Sequence, residues 1–269
     1  MVCFAANSLL CRLALSTTSI DATSFTSVRV LAGALTLWLI VKQRNGGYQG
    51  SGSWWSAAAL LVYAAGFSFA YVQLPTGVGA LILFGCVQMT MIGYGFVQGE
   101  RQSVRQLVGI GLAMGGLVAL LLPGATAPAP GSAALMALAG IGWAVYSLRG
   151  RGRGDPVQTT AGNFLRAAVL AVVLSLGFVS QLNLDWSGVV YAVASGAVAS
   201  GVGYAIWYAA LPALQATHAA TVQLSVPVLA ALAGVLVLQE PLSVRLVVTS
   251  VAILGGIALV YLTAANSSR

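Results

Sequence analysis

Apolar residues run in blocks of about 20 along this chain, separated by short clusters of Gly, Ser, Pro, Asp and Arg. A membrane-crossing helix needs about 20 mostly apolar residues. Ten blocks meet that pattern, near 2–18, 22–41, 54–73, 77–98, 102–122, 132–149, 157–180, 187–209, 215–238 and 242–263. Strands of a membrane barrel would alternate apolar and polar over about 10 residues, and no such alternation occurs. The first block lacks the basic start of a signal peptide and has a counterpart in the second half, so it is read as a span. The stretch PGATAPAPG (123–131) breaks the chain at its middle.

The pattern repeats. GERQSVRQLVGIGLAMGG (99–116) parallels QEPLSVRLVVTSVAILGG (239–256), so that Glu100 meets Glu240, Ser103 meets Ser243, and Gly115-Gly116 meets Gly255-Gly256. Earlier in the halves Arg12 meets Arg149, Arg29 meets Arg166, and Pro75 meets Pro212. Five spans per half is an odd number, so the halves, 1–124 and 125–269, are expected to insert in opposite senses. Inverted repeats of this kind are an architecture of secondary transporters, with substrate held between the halves near the midplane.

Charge fixes the orientation. With the N-terminus in the cytoplasm, Lys42, Arg44, Arg101, Arg105, Arg149, Arg151, Arg153 and Arg269 fall inside and only Arg245 falls outside. Both termini are then cytoplasmic, and the bias suits a bacterial inner membrane. The chain of 269 residues is 59% hydrophobic and 6% charged, where soluble domains carry about 25% charge. So little charge cannot cover a water-facing surface, and the outer face must meet lipid. The net charge of +7 therefore reads as topology, not as a nucleic-acid surface.

Enzyme readings find no support. No aspartates pair within spans, no metal-ligand cluster or phosphate-binding loop is present, and no cofactor is implied. The glycine that an intramembrane serine protease carries beside its nucleophile is missing ahead of Ser200. Cys3, Cys11 and Cys86 have no pairing or metal spacing and read as packing residues. A channel or a membrane scaffold is the alternative from another class.

The repeated unit, an apolar span followed by a short turn, GE, S-V-R and an apolar span with GG, resembles the EamA-type repeat of the drug/metabolite transporter superfamily. The second copy is the fuller match, with Ala219-Ala220-Thr221, Pro227-Val228 and Gln239-Glu240-Pro241; SIDATSFTSVRVLAGAL (19–35) resembles the family's second span, with Arg29 at its arginine position. The first copy departs from it at Val87 and Arg101. The resemblance implies an all-α integral membrane fold of ten helices around a central cavity, lined mostly by spans three, four, eight and nine, with one and six contributing. It implies alternating-access export of small molecules, most like the branch that exports aromatic and other apolar amino acids, with drugs or other metabolites as the alternative. Partners are the substrate and the bilayer, and a monomer is the simplest assembly.

An apolar substrate needs a wall of rings with a few polar groups to orient it. Candidates for that wall are Tyr63, Phe67 and Tyr71 in span three, Tyr94 in span four, Trp143 and Tyr146 in span six, and Tyr204, Trp207 and Tyr208 in span eight. The competing reading is lipid-facing or interfacial aromatics, as expected for Trp38, Trp54, Trp55 and Trp186 at span ends. Asn7, Gln88, Asn163 and Gln223 could orient substrate or tie helices to one another. His218, the only histidine, could bind a carboxylate, carry a proton or bond a backbone carbonyl. Arg29 and Arg166 are expected to cap neighbouring helix ends, with anion binding as the alternative. Glu100 and Glu240 are expected to cap spans five and ten. Small residues four apart, Gly95 and Gly99, Gly111 and Gly115, and Ser195, Ala199 and Gly203, are expected to let helices approach closely.

Overall fold

The computed structural model describes residues 1–45, 50–99, 102–124, 127–150, 154–210 and 222–267, and every regular element among them is helical. In order these are α1 (Val2–Thr17), α2 (Ala22–Asn45), α3 (Trp54–Tyr71), α4 (Thr76–Val97), α5 (Val104–Leu121), α6 (Pro130–Gly150) and α7 (Pro156–Leu176). A short 3₁₀ turn (Val179–Gln181) leads to α8 (Trp186–Val193), which continues through a π-helical stretch (Ala194–Val202) into α9 (Gly203–Ala210). Then come α10 (Ser225–Leu238) and α11 (Val244–Ser267). Among the described residues eight helices are long and apolar enough to cross a membrane, counting α8 through α9 as one; α1 and α10 are shorter apolar helices. Of the block expected at 215–238, residues 215–221 lie outside the described residues. The block expected at 157–180 stops being α-helical at Leu176.

Local chemistry sets these boundaries. Ser53, Ser103, Asp155 and Asp185 each accept a hydrogen bond from a first-turn amide of the helix that follows. Such caps satisfy donors that the helix itself leaves open. Pro130 and Pro156 occupy first-turn positions, where a missing N–H costs nothing.

With α8 through α9 counted as one, ten helices follow in order among the described residues, and exchanging each with the one five places on maps the main pairings onto one another. Thus α3 against α6 corresponds to α8 and the π stretch against α1, and α4 against α6 corresponds to α10 against α1. The pairs α2 with α7, α4 with α10 and α5 with α11 map onto themselves.

Close approach at these pairs depends on glycine. A methyl at Gly196 would run into the Arg29 carbonyl, and one at Gly109 would lie 2.6 Å from the Gly256 carbonyl. Gly111 and Gly115 do not serve as expected: no atom lies within 4 Å of a methyl built at either, and it is Gly109 and Gly116 that meet α11. Helical phase decides this, because Gly111 and Gly115 occupy the outward side of α5. Ser195 and Ala199 are buried as expected, and a methyl at Gly203 would meet the Cys3 side chain at 2.9 Å. Gly196→Ala should therefore cost about 1–3 kcal/mol, since the obstacle is backbone that cannot rotate away. Thermal unfolding in detergent measures this, with Gly111→Ala expected to leave the midpoint unchanged.

Polar ties join the halves at the loops. Asp21 accepts from the Thr23 and Ser24 amides, at 2.8 and 2.9 Å, and from the Asn183 amide at 2.7 Å. Burial alone would raise the Asp21 carboxyl, but the donors from Asn183, Ser24 and Thr23 outweigh it and hold the group below the usual carboxylate range. A depressed folded value stabilises the fold above the unfolded value of about 3.9 and loses that contribution as pH falls through the folded value. Asp21→Asn should lower the unfolding midpoint at pH 7, and the gap from wild type should close as pH falls below about 4.

Candidate functional site

Residues 63, 67 and 71 are four apart and share one face of α3. The structure turns that face inward: Tyr63, Phe67 and Tyr71 are all buried. Phe67 packs edge-on against Tyr71 with centroids 4.7 Å apart, and Tyr63 lies 5.5 Å from Phe67. From α6, Trp143 comes within 5.0 Å of Tyr63 and 5.4 Å of Tyr146. From α9, Tyr204 stacks on Trp143 at 5.2 Å. Two further rings complete the array. Phe164 of α7 lies 5.7 Å from Tyr204, and Phe4 of α1 lies 5.5 Å from Tyr204 and 6.2 Å from Trp207. One continuous run of rings thus links α3, α6, α9, α1 and α7.

Arg29 of α2 reaches this array. It is 3% exposed, with its guanidinium 4.8 Å from the Phe67 centroid and 5.4 Å from that of Tyr63. The Tyr63 hydroxyl faces the side chains of Arg29 and Tyr204. Arg29 does not cap a helix end as expected; its guanidinium lies against the Phe67 and Tyr63 rings instead. Its repeat counterpart does not cap a helix end either: Arg166 donates to the Ser51 carbonyl in the α2–α3 loop at 2.8 Å and to the Gly162 carbonyl of its own helix at 3.0 Å.

Two of the polar candidates, Asn7 and Gln88, sit in helix-to-helix bonds. Asn7 donates to Ser200 at 3.2 Å and accepts from Ser195, both in the π-helical stretch. Gln88 accepts from the Tyr261 hydroxyl at 2.6 Å, which ties α4 to α11. Asn163 accepts from the Ser53 amide at 2.9 Å. With Ser56, Thr159 and Arg149 it lines a polar cavity of about 330 Å³ between the α2–α3 loop and the start of α7. Tyr146 donates to Thr160 at 3.4 Å and Tyr71 to the Thr76 carbonyl at 3.1 Å. Gln223 is half-buried. Tyr94 is 46% exposed and stands outside the ring array. His218 and the side chain of Tyr208 lie outside the described residues, as does Glu100.

Phe4, Phe164 and the inward role of Arg29 escape a reading of the sequence. Phe4 lies one turn before Asn7, and Phe164 follows Asn163, so each stands beside a residue that was singled out. Among the described residues no group of His, Cys, Asp and Glu could hold a metal ion. Among the described residues the arrangement offers ring faces, hydroxyls and a buried cation, Arg29.

Comparison with known proteins gives three findings. Residues 131–262 match the EamA-like transporter family. An uncharacterized protein of Pseudomonas aeruginosa is 56% identical over 261 residues, covering 97% of this chain and 91% of that protein. A solved crystal structure of a protein superposes with a TM-score of 0.68 at 23% identity, covering 98% of this chain and 96% of that one. The last shows a shared fold.

Proposed function

We propose, from the match of residues 131–262 to the EamA-like transporter family, that this chain is a secondary carrier exporting aromatic or other apolar amino acids by alternating access. In this reading ten helices cross a bacterial inner membrane as two inverted halves, 1–124 and 125–269, with both termini in the cytoplasm. The shorter α1 and α10 are each one of the ten. The exchange of helix pairings between the halves supports the repeat, and the excess of Lys and Arg in alternate loops supports the orientation.

The observation that carries the substrate assignment is the ring array from Tyr71 to Trp207, which spans both halves and meets at Trp143 and Tyr204. A ring-bearing substrate gains ring-to-ring stacking there. Rocking of one half against the other would open the array to either side in turn.

Counterflow tests the reading. Proteoliposomes preloaded with unlabelled phenylalanine should take up labelled phenylalanine saturably, above empty liposomes. Uptake at the empty-liposome level for phenylalanine, tyrosine and tryptophan alike would remove the substrate assignment and direct the search to sugars and cationic drugs.

A further inference from the structure

We propose that Arg29 is an anion-recognition point: its guanidinium takes the carboxylate of a small molecule that carries a single carboxylate and whose apolar or aromatic body lies against Tyr63, Phe67 and Trp143. The inference rests on the transporter reading for calling that molecule a substrate.

A buried cation is costly unless an anion or a full set of hydrogen bonds compensates it. Arg29 is 97% buried by its 3% exposure, and its Nη1 has no hydrogen-bond partner. The chain has only five acidic residues, and the four that are described are engaged elsewhere. Asp21 binds the Thr23, Ser24 and Asn183 amides, Asp155 caps α7, Asp185 caps α8, and Glu240 binds Arg12 and the Thr76 amide. None of these four is given to Arg29. The faces of Phe67 and Tyr63 offer partial compensation through their π-electrons, but ring faces do not take the N–H of Nη1 in its plane.

The shape of this shortfall points to a class of ligand. A guanidinium matches a planar carboxylate through paired N–H donors. A phosphate dianion calls for more than one cation, and the rings beside Arg29 supply none. The same rings provide a surface for an apolar body, so charge and apolar area belong to one molecule. By contrast, the Arg166 guanidinium is already bonded to the loop carbonyl of Ser51 and to Gly162 of its own helix, which separates two positions that the sequence repeat makes equivalent.

The test uses the purified full-length protein in detergent. It is titrated with phenylacetate and with the neutral isostere phenylacetamide, reading both tryptophan fluorescence and the shift in thermal midpoint. Phenylacetate should bind about tenfold or more tightly than the amide, in keeping with one charge-assisted pair in a dry site. Inorganic phosphate should not displace it. Arg29→Gln should erase the preference for the acid, Arg29→Lys should keep part of it, and Arg166→Gln should keep all of it. Equal binding of acid and amide by the wild-type protein would overturn the proposal without any variant having to fold. So would an unchanged preference in Arg29→Gln, or binding of neither compound. Acid-selective binding with no carrier-mediated flux would sink the transporter reading and leave the anion site standing. Flux of phenylalanine and phenylalaninamide at equal rates would do the reverse.

Discussion

Replacing Glu240 by Ala is expected to lower stability by about 3 kcal/mol, because one carboxylate joins three elements. Its Oε2 accepts from the Thr76 amide at 2.8 Å, at the N-terminus of α4, where the helix dipole favours negative charge. Its Oε1 lies 3.5 Å from Nε of Arg12, and the two side chains are only 14% and 20% exposed. Arg12 in turn donates to the carbonyls of Tyr71 and Val72, at 3.0 and 2.8 Å, and so closes the C-terminus of α3. Removing one partner of a mostly buried pair leaves the other uncompensated, which typically costs about 3–5 kcal/mol. The residual exposure places this case at the lower end. Thermal unfolding of Glu240→Ala and Glu240→Gln reads the difference. Glu240→Gln should be milder, since an amide oxygen can still accept from Thr76. A Glu240→Ala midpoint within a degree of wild type would mean that the cluster contributes nothing to stability. Gly234 is part of the same cluster, because a methyl there would collide with the Glu240 carboxylate.

Trp143→Ala is expected to cut saturable phenylalanine uptake about tenfold or more. Trp143 contacts Tyr63, Tyr146 and Tyr204 at 5.0, 5.4 and 5.2 Å, and is the ring through which the α3 and α9 aromatics meet. Each such pair contributes about 0.5–1.5 kcal/mol beyond its buried area, and about 1.4 kcal/mol is a factor of ten. Trp143→Phe keeps a ring face and should lose much less. Trp186→Ala, at the exposed start of α8, removes the same side chain from a place outside the array, and uptake should be unchanged. Equal loss in Trp143→Ala and Trp186→Ala would show that tryptophan number, not the array, matters. A Trp143→Ala protein with wild-type uptake would move the binding site away from these rings.

Much of the local structure was legible from residue order. Ser53, Ser103, Asp155 and Asp185 mark helix starts by chemistry that acts within four residues. The apolar blocks mark the helices because lipid demands long runs with internally bonded backbones. The repeat of S-V-R and GG already hinted at paired halves. Which partner each residue takes was not legible. Glu240, expected to cap the helix that follows it, instead binds the start of α4, 164 residues away. Arg29 and Arg166 occupy matching positions, yet one enters the ring array and the other closes a loop.

The physical reason lies in the solvent. In water a helix shows its buried side as an apolar stripe against a polar face. In lipid both faces are apolar, so Tyr94, which is exposed, and Tyr63, which is buried, sit in equally apolar surroundings along the chain. The same holds for Gly111, which meets nothing, and Gly109, which meets the Gly256 carbonyl. The sequence by itself determined that this chain is helical, that it belongs in a membrane, and where most helices begin. Only the tertiary structure decided which rings assemble around Trp143 and Tyr204 and that Arg29 lies among them. Those outcomes depend on helix rotation and close packing between distant segments, which one-dimensional hydrophobicity does not encode.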